Sequence, residues 1–201
     1  MEPVVYIIDD DRLARESLQW LIESASQTVR VFENGSTFLD RYRVGDPGCV
    51  VLDVRMPDIN GMELHARLRE RGANIPVIIV TGHADVTMAV RAMKAGAWDF
   101  IEKPYNDALM LERVQGAIAY DRDNRRNMKR VEEIRQRAQL LTPREREVMG
   151  HVIQASQNKV IAQELGISVK TVELHRANLM AKMEVASSTE LVRLAMIAEL
   201  E

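Results

Sequence analysis

Four short apolar runs in the first half of the chain each deliver a residue that can do chemistry. VVYIIDDD closes on Asp9, Asp10 and Asp11, CVVLD on Asp53 and PVIIVT on Thr81, while Lys103 follows DFIE. Clustered carboxylates repel one another unless a cation sits between them. The pattern offers oxygen donors without His or Cys, so a hard ion such as Mg2+ suits it best. Held by Asp10 and Asp53, with Asp9 beside them, Mg2+ would keep water positions that phosphate oxygens can take. A free oxygen of Asp53 is then the nucleophile for an acyl phosphate. Lys103 brings a point charge to the transferring phosphoryl group and Thr81 a hydroxyl donor.

These residues meet only if the apolar runs are parallel strands, since open α/β sheets place their ligand crevice at the carboxyl edge. The first 120 residues alternate such runs with amphipathic stretches, the pattern of βα units. Strands are predicted near 4–8, 29–32, 49–53, 76–81 and 98–101, with helices near 12–24, 35–44, 61–71, 84–95 and from 105 onward. The polar markers keep the same count. Asp10 and Asp53 are 43 residues apart, two units, whereas Asp53 to Thr81 is 28 and Thr81 to Lys103 is 22, one unit each. The fold class expected is α/β, a five-stranded parallel doubly wound sheet. Asp11 reads as a helix N-cap, Cys49 as a small apolar filler and Trp98 as core or interface. Met62, Met88 and Met93 read as helix packing. His65 and His83 have no partners at ligand spacing and are expected to face solvent.

Beyond the first domain, assigned to 1–120, residues 121–139 are read as a helical linker and 140–201 as an all-α domain. Two readings of the junction stay open. One long helix can run from Tyr105 towards the second domain on a sparse stripe of Val114, Ile118, Met128, Val131 and Ala138; the other ends the helix near Tyr120 and continues as a solvated linker. Thr142, Pro143 and Glu145 then start a helix as N-cap, N1 residue and dipole partner. A second spans Asn158 to Leu165 and stops at Gly166. Ser168 caps a third that reaches about Met183, and Ser188 caps a fourth that ends near Leu200. Helix, Gly-containing turn and helix make a helix-turn-helix, in which the third helix reads DNA.

Composition narrows the classes. The 201 residues are 46% hydrophobic and 28% charged, enough for two domains with real cores. A single cysteine rules out an intrachain disulfide and favours a reducing compartment. No run approaches the roughly 18 apolar residues of a membrane span, and no basic-then-apolar leader opens the chain, so no membrane partner and a cytoplasmic location are expected. Charge is uneven: Lys+Arg against Asp+Glu is 13 to 18 over residues 1–120, 7 to 4 over 121–139 and 7 to 8 over 140–201. The last segment is less basic than most DNA-binding domains, so the case for DNA rests on motif and placement.

Taken together, the acidic pair after the first strand, the Asp53 block with Met56-Pro57 and Gly61, Thr81, and Lys103-Pro104 resemble the receiver domain of bacterial two-component response regulators. That resemblance implies Asp53 as phosphoacceptor and Mg2+ held by Asp9, Asp10, Asp53 and the Arg55 backbone carbonyl. It also implies a switch made by Thr81 and Phe100, with a cis peptide at Lys103–Pro104. Receivers often carry Tyr at the ring position; Phe100 keeps the rotation and lacks the phenolic hydrogen bond. A sensor histidine kinase would be the phosphodonor.

Residues 140–201 resemble the four-helix DNA-binding domain of the NarL and LuxR class, through LTPREREVM, NKVIAQELGIS and VKTVELHRANLMAKM. The combination with a receiver points to the FixJ subgroup. On the third helix, Lys170, Glu173, Leu174 and Ala177 share one face at i, i+3, i+4 and i+7, while Val172, Leu179 and Met183 lie on another that packs inward. Glu173 could accept from a cytosine amino group, and Leu174 or Ala177 could touch a thymine methyl. Lys159, Lys170, Thr171, Arg176 and Lys182 are placed for phosphates. Arg176 has a second reading as an ion-pair partner of a nearby Glu, and His175 as a buttress of the helix. Glu145 and Glu147 are expected at the helix start, facing solvent.

The function expected is a phosphorylation-activated transcription regulator that binds double-stranded DNA and pairs as a homodimer on phosphorylation. It would not be an enzyme: aspartate-nucleophile phosphatases place a second Asp two residues after the nucleophile, and that position here is Arg55. The alternative is a phosphorelay adaptor whose C-terminal helices bind protein rather than DNA.

Overall fold

A computed structural model describes residues 2–200. Its first part alternates β1 (Val4–Ile8), α1 (Arg12–Ser24), β2 (Thr28–Phe32), α2 (Gly35–Arg41), β3 (Gly48–Asp53), α3 (Gly61–Glu70), β4 (Val77–Thr81), α4 (Val86–Lys94) and β5 (Asp99–Glu102). The strands form one parallel sheet in the order β2-β1-β3-β4-β5, a five-stranded doubly wound sheet as expected. Alternate strand residues face opposite layers. Tyr6, Ile8, Val50, Leu52, Val77 and Ile79 pack with Phe38, Leu64, Leu68 and Ala92 of α2, α3 and α4. Val5, Ile7, Cys49, Val51, Ile78 and Val80 pack with Leu18 and Ile22 of α1 and with Met110, Val114 and Ala117 further along the chain. Each fully buried aliphatic side chain contributes roughly 1.5–3 kcal/mol, which is why β3, buried at all six positions, sits in the middle of the sheet.

Local chemistry sets the boundaries. Asp11 caps α1 by accepting from the Leu13 and Ala14 N–H groups. Asn34, Asn60 and Asp85 do the same for α2, α3 and α4. The helix predicted from 105 begins two residues later, because the Asn106 side chain accepts from the Ala108 and Leu109 N–H groups and makes 106 the cap.

That helix, α5, is continuous from Asp107 to Gln139, and this decides between the two readings of the junction. The boundary between two compact units falls within it, the first ending at Arg125 and the second starting at Arg126. Asp121 is buried in the first unit. Ile134 is buried in the second, with Val131 and Ala138 packed beside it. The stretch read as linker is therefore shared between two cores.

The second unit continues with α6 (Pro143–Ile153), α7 (Asn158–Leu165), α8 (Val169–Met183) and α9 (Ser188–Ala198). Thr142 and Glu145 form a capping box at α6, and Gly166 ends α7 in the left-handed region. Val148, Val152, Ile161, Val172, Leu179, Met183, Leu191 and Leu194 make its core. The cap of α9 is Ser187, whose hydroxyl accepts from the Glu190 N–H three residues on; Ser188 is the first helical residue, a correction of one position.

Candidate functional site

Register brings the sheet-edge residues level. Ile8 pairs with Leu52, so Asp9 and Asp53 leave adjacent strands side by side; Thr81 pairs with Glu102, and the Lys103 N–H donates to the Thr81 carbonyl at 2.8 Å. Lys103 Nζ then reaches Asp9 Oδ2 at 2.6 Å and Asp53 Oδ1 at 2.9 Å. Both carboxylates are almost covered, Asp9 at 5% and Asp53 at 8% exposure. Their other oxygens are held by the chain itself: the Asp11 N–H donates to Asp9 Oδ1 at 2.9 Å and the Arg55 N–H to Asp53 Oδ2 at 2.6 Å. A carboxylate oxygen has lone pairs to spare beyond one such bond, so Asp53 is held in one orientation and keeps acceptor capacity.

Electrostatics follow from this crowding. Burial pushes the Asp9 carboxyl above its usual range, against the opposing pull of Lys103. Lys103 moves up as well: burial works to lower it, but its hydrogen bonds to Asp9 and Asp53 outweigh that. The lysine stays charged between its two acids.

The remaining predicted residues fall around this centre. Asp10 is exposed on the loop after β1, and Arg55 is exposed on the loop after β3. Among the described residues no three acidic, His or Cys side chains converge at metal-ligand spacing, and the Lys103 ammonium bridges Asp9 and Asp53. Thr81 is buried at the end of β4, its hydroxyl accepting from the His83 N–H at 3.3 Å. Phe100 is half-buried on β5 against the core layer of α2, α3 and α4. It lines a groove with Ala84, Asp85, Val86, Ala89 and Glu102. The Lys103–Pro104 bond is cis.

Several supports of the site leave no pattern in the sequence. Arg15 donates to the Asp9 carbonyl at 2.6 Å, and the Asp58 carboxylate accepts from the Gly35 and Ser36 N–H groups at the start of α2. His65, expected in solvent, is buried with an unpartnered Nδ1, because it shares the inward face of α3 with Leu64 and Leu68; burial lowers its pKa, with Arg69 adding to the effect. His83 is exposed.

In the second unit α7, the Gly166 turn and α8 form the helix-turn-helix. Val172, Leu179 and Met183 are buried, while Lys170, Glu173, Leu174 and Ala177 are exposed on α8, as is Lys159 on α7. Leu174 is 59% exposed, a large apolar side chain left facing outward. Thr171 is half-buried, its hydroxyl 2.8 Å from that of Ser168. His175 is half-buried too. Two residues placed at phosphates are instead engaged inside the domain. Arg176 donates to the Ser188 hydroxyl at 2.7 Å, a partner other than the Glu considered for it, and Lys182 reaches Glu145 Oε2 at 2.6 Å. Glu145 is buried rather than solvent-facing, for its carboxylate also accepts the Thr142 N–H; Glu147 is exposed and pairs with Arg144.

The chain is similar to known proteins over nearly its whole length. Residues 5–115 match the response regulator receiver domain family, and 139–195 match the bacterial regulatory proteins of the luxR family. The transcriptional regulatory protein FixJ of Azorhizobium caulinodans is 45% identical over 194 residues, covering 96% of this chain and 92% of its own. The response regulator protein TodT of Pseudomonas putida is 40% identical over 94% of this chain and 84% of its own. Among solved structures, the response regulator StyR superposes with a TM-score of 0.87 at 39% identity, covering 98% of this chain and 99% of its own. Full-length FixJ from B. japonicum does so with a TM-score of 0.61 at 42% identity, covering 100% and 99%. On motif, fold and likeness over nearly its whole length, the chain belongs to the FixJ subgroup of two-component response regulators, transcription regulators that join a receiver to a LuxR-type DNA-binding domain.

Proposed function

We propose that Asp53 is the phosphoacceptor, that a sensor histidine kinase supplies the phosphoryl group, and that the modified chain pairs and binds double-stranded DNA more tightly. The observation that carries this is the single ammonium of Lys103 bonded to both Asp9 and Asp53 at the carboxyl edge of the sheet. An Asp53 oxygen attacks phosphorus, the donor's bond to phosphorus breaks, and an acyl phosphate remains. Lys103 follows the charge onto the phosphoryl oxygens, and the Thr81 hydroxyl donates to one of them. One lysine balances only part of the charge of Asp9, Asp10 and Asp53, and every acidic donor is a hard oxygen, so the site suits Mg2+. Asp9, Asp10, Asp53 and the Arg55 carbonyl would hold it, and it would draw charge from the transferring phosphoryl group.

For DNA the reading rests on the exposed face of α8. Glu173, Leu174 and Ala177 meet base edges, and Lys159, Lys170 and Thr171 meet phosphates, with Arg176 free to join them by leaving Ser188. Lys182 is better assigned to holding Glu145. Pairing is placed on α4, β5 and α5, where Val86, Val90 and Met93 stand exposed on α4. Two linked half-sites bound together gain affinity through effective concentration alone.

Binding titrations beside light scattering, with and without acetyl phosphate and Mg2+, test the whole reading. The full chain should tighten and dimerise only when phosphorylated, while a fragment from about residue 140 should bind one half-site weakly under either condition. A phosphorylated full chain that stays monomeric on DNA would overturn the pairing step. Footprints that ignore phosphorylation would overturn the regulation.

A further inference from the structure

Asp121 is a buried carboxylate that the phosphoacceptor site does not use. Its Oδ2 accepts the Gly48 N–H at 2.9 Å and Arg125 Nε at 2.6 Å. The two other arms of the Arg125 guanidinium donate to the carbonyls of Gly45 and Asp46. One turn of α5 thus grips the loop that leads into β3, across 73 to 80 residues of sequence. Detaching that turn would strand a desolvated carboxylate and unpair a backbone N–H, both costly in a dry setting. These bonds tie α5 to the first unit beyond Tyr120, as far along the helix as Arg125.

Gly48 is the first residue of β3 and Asp53 its last. The strand between them is buried throughout, paired on both sides, and spans only about 17 Å. We propose that Asp121 and Arg125 root the outgoing helix on the amino end of β3, making this strand the link between events at Asp53 and the part of α5 that continues beyond the receiver unit. The regulatory half of this proposal rests on the phosphoregulator reading; the anchor does not.

The test uses the full chain as Arg125→Ala and Asp121→Asn, which keeps an acceptor oxygen for Gly48 but removes the charge that holds Arg125. Circular dichroism confirms folding, and labelling from acetyl phosphate with Mg2+ should equal wild type, since neither residue touches Asp53. Amide exchange over residues 121–128 should accelerate in both variants. DNA affinity is measured on a duplex selected from a random pool by the full chain. Wild type should gain about 5–150-fold on phosphorylation and the variants about twofold or less. Exchange unchanged in either variant would overturn the anchor, and a full phosphorylation-linked gain in the variants would overturn the coupling. A wild type that labels but gains nothing on DNA defeats the regulator reading and the coupling built on it, and the exchange rates then decide the anchor alone.

Discussion

Glu145 near the start of α6 and Lys182 near the end of α8 are joined at 2.6 Å, with the carboxylate 3% exposed and also accepting the Thr142 N–H at 2.7 Å. One side chain therefore closes the cap of α6 and holds the C-terminal half of α8. Glu145→Ala should destabilise the second unit by about 2 kcal/mol, from the lost cap and a lost charge-assisted bond. Burial alone would raise the Glu145 carboxyl, but Lys182 and Thr142 hold it below the ordinary value of 4.5. A depressed carboxylate contributes stability above its unfolded pKa and loses it as pH falls through the folded one. The second unit should thus weaken below about pH 4.5, and the variant should lack that dependence. Amide exchange over residues 140–200 reads both effects; tryptophan fluorescence does not, since Trp20 and Trp98 lie in the first unit.

Asp53→Asn should keep the fold and abolish labelling from acetyl phosphate and Mg2+, because an amide is no nucleophile for phosphorus. Undiminished labelling of the variant would remove Asp53 from its assigned role.

Lys103→Ala should slow labelling by about 100-fold, the usual effect of deleting one preorganised charge at a reacting centre. Lys103 is what opposes the upward push of burial on Asp9, so its loss should carry the Asp9 carboxyl higher still. The acid limb of the labelling rate should therefore move to higher pH. A limb that stays in place would show that Asp9 is not felt at the reacting centre.

Gly61→Ala tests the loop behind the site. A Cβ at Gly61 would lie 2.2 Å from the Asp53 carbonyl oxygen and 2.9 Å from Val54 Cα, both backbone, where nothing can rotate away. The clash should cost about 2–3 kcal/mol in thermal unfolding and slow labelling by displacing Asp53. An unchanged melting temperature would mean that α3 can shift away from β3 freely.

Lys170→Ala and Glu173→Ala should fail in different ways. The lysine variant should bind every sequence more weakly and lower the salt slope by about one unit. The glutamate variant should lose about 1–3 kcal/mol of discrimination at one base pair. Uniform weakening by both, with the preferred site intact, would end the base-reading role of Glu173.

The alternation of apolar runs and amphipathic stretches already determined β1 to β5, their parallel direction, and the placing of Asp9, Asp53, Thr81 and Lys103 at one edge, because strand ends and helix caps are local and βα crossovers share one hand. Asp11, Asn158, Gly166 and Ser168 likewise marked their helices from within a turn of sequence. What only the tertiary structure decided is which partner each long side chain takes. Lys182 belongs to Glu145, 37 residues away, and Arg176 to Ser188, 12 away. His65 turns inward, and Asp121 meets Gly48 across 73 residues. The division of α5 between two cores is of the same kind. Periodicity tells which face of a helix is apolar, but a charged residue at the margin of that face is committed to solvent, DNA or a buried partner only when another element packs against it and removes its water.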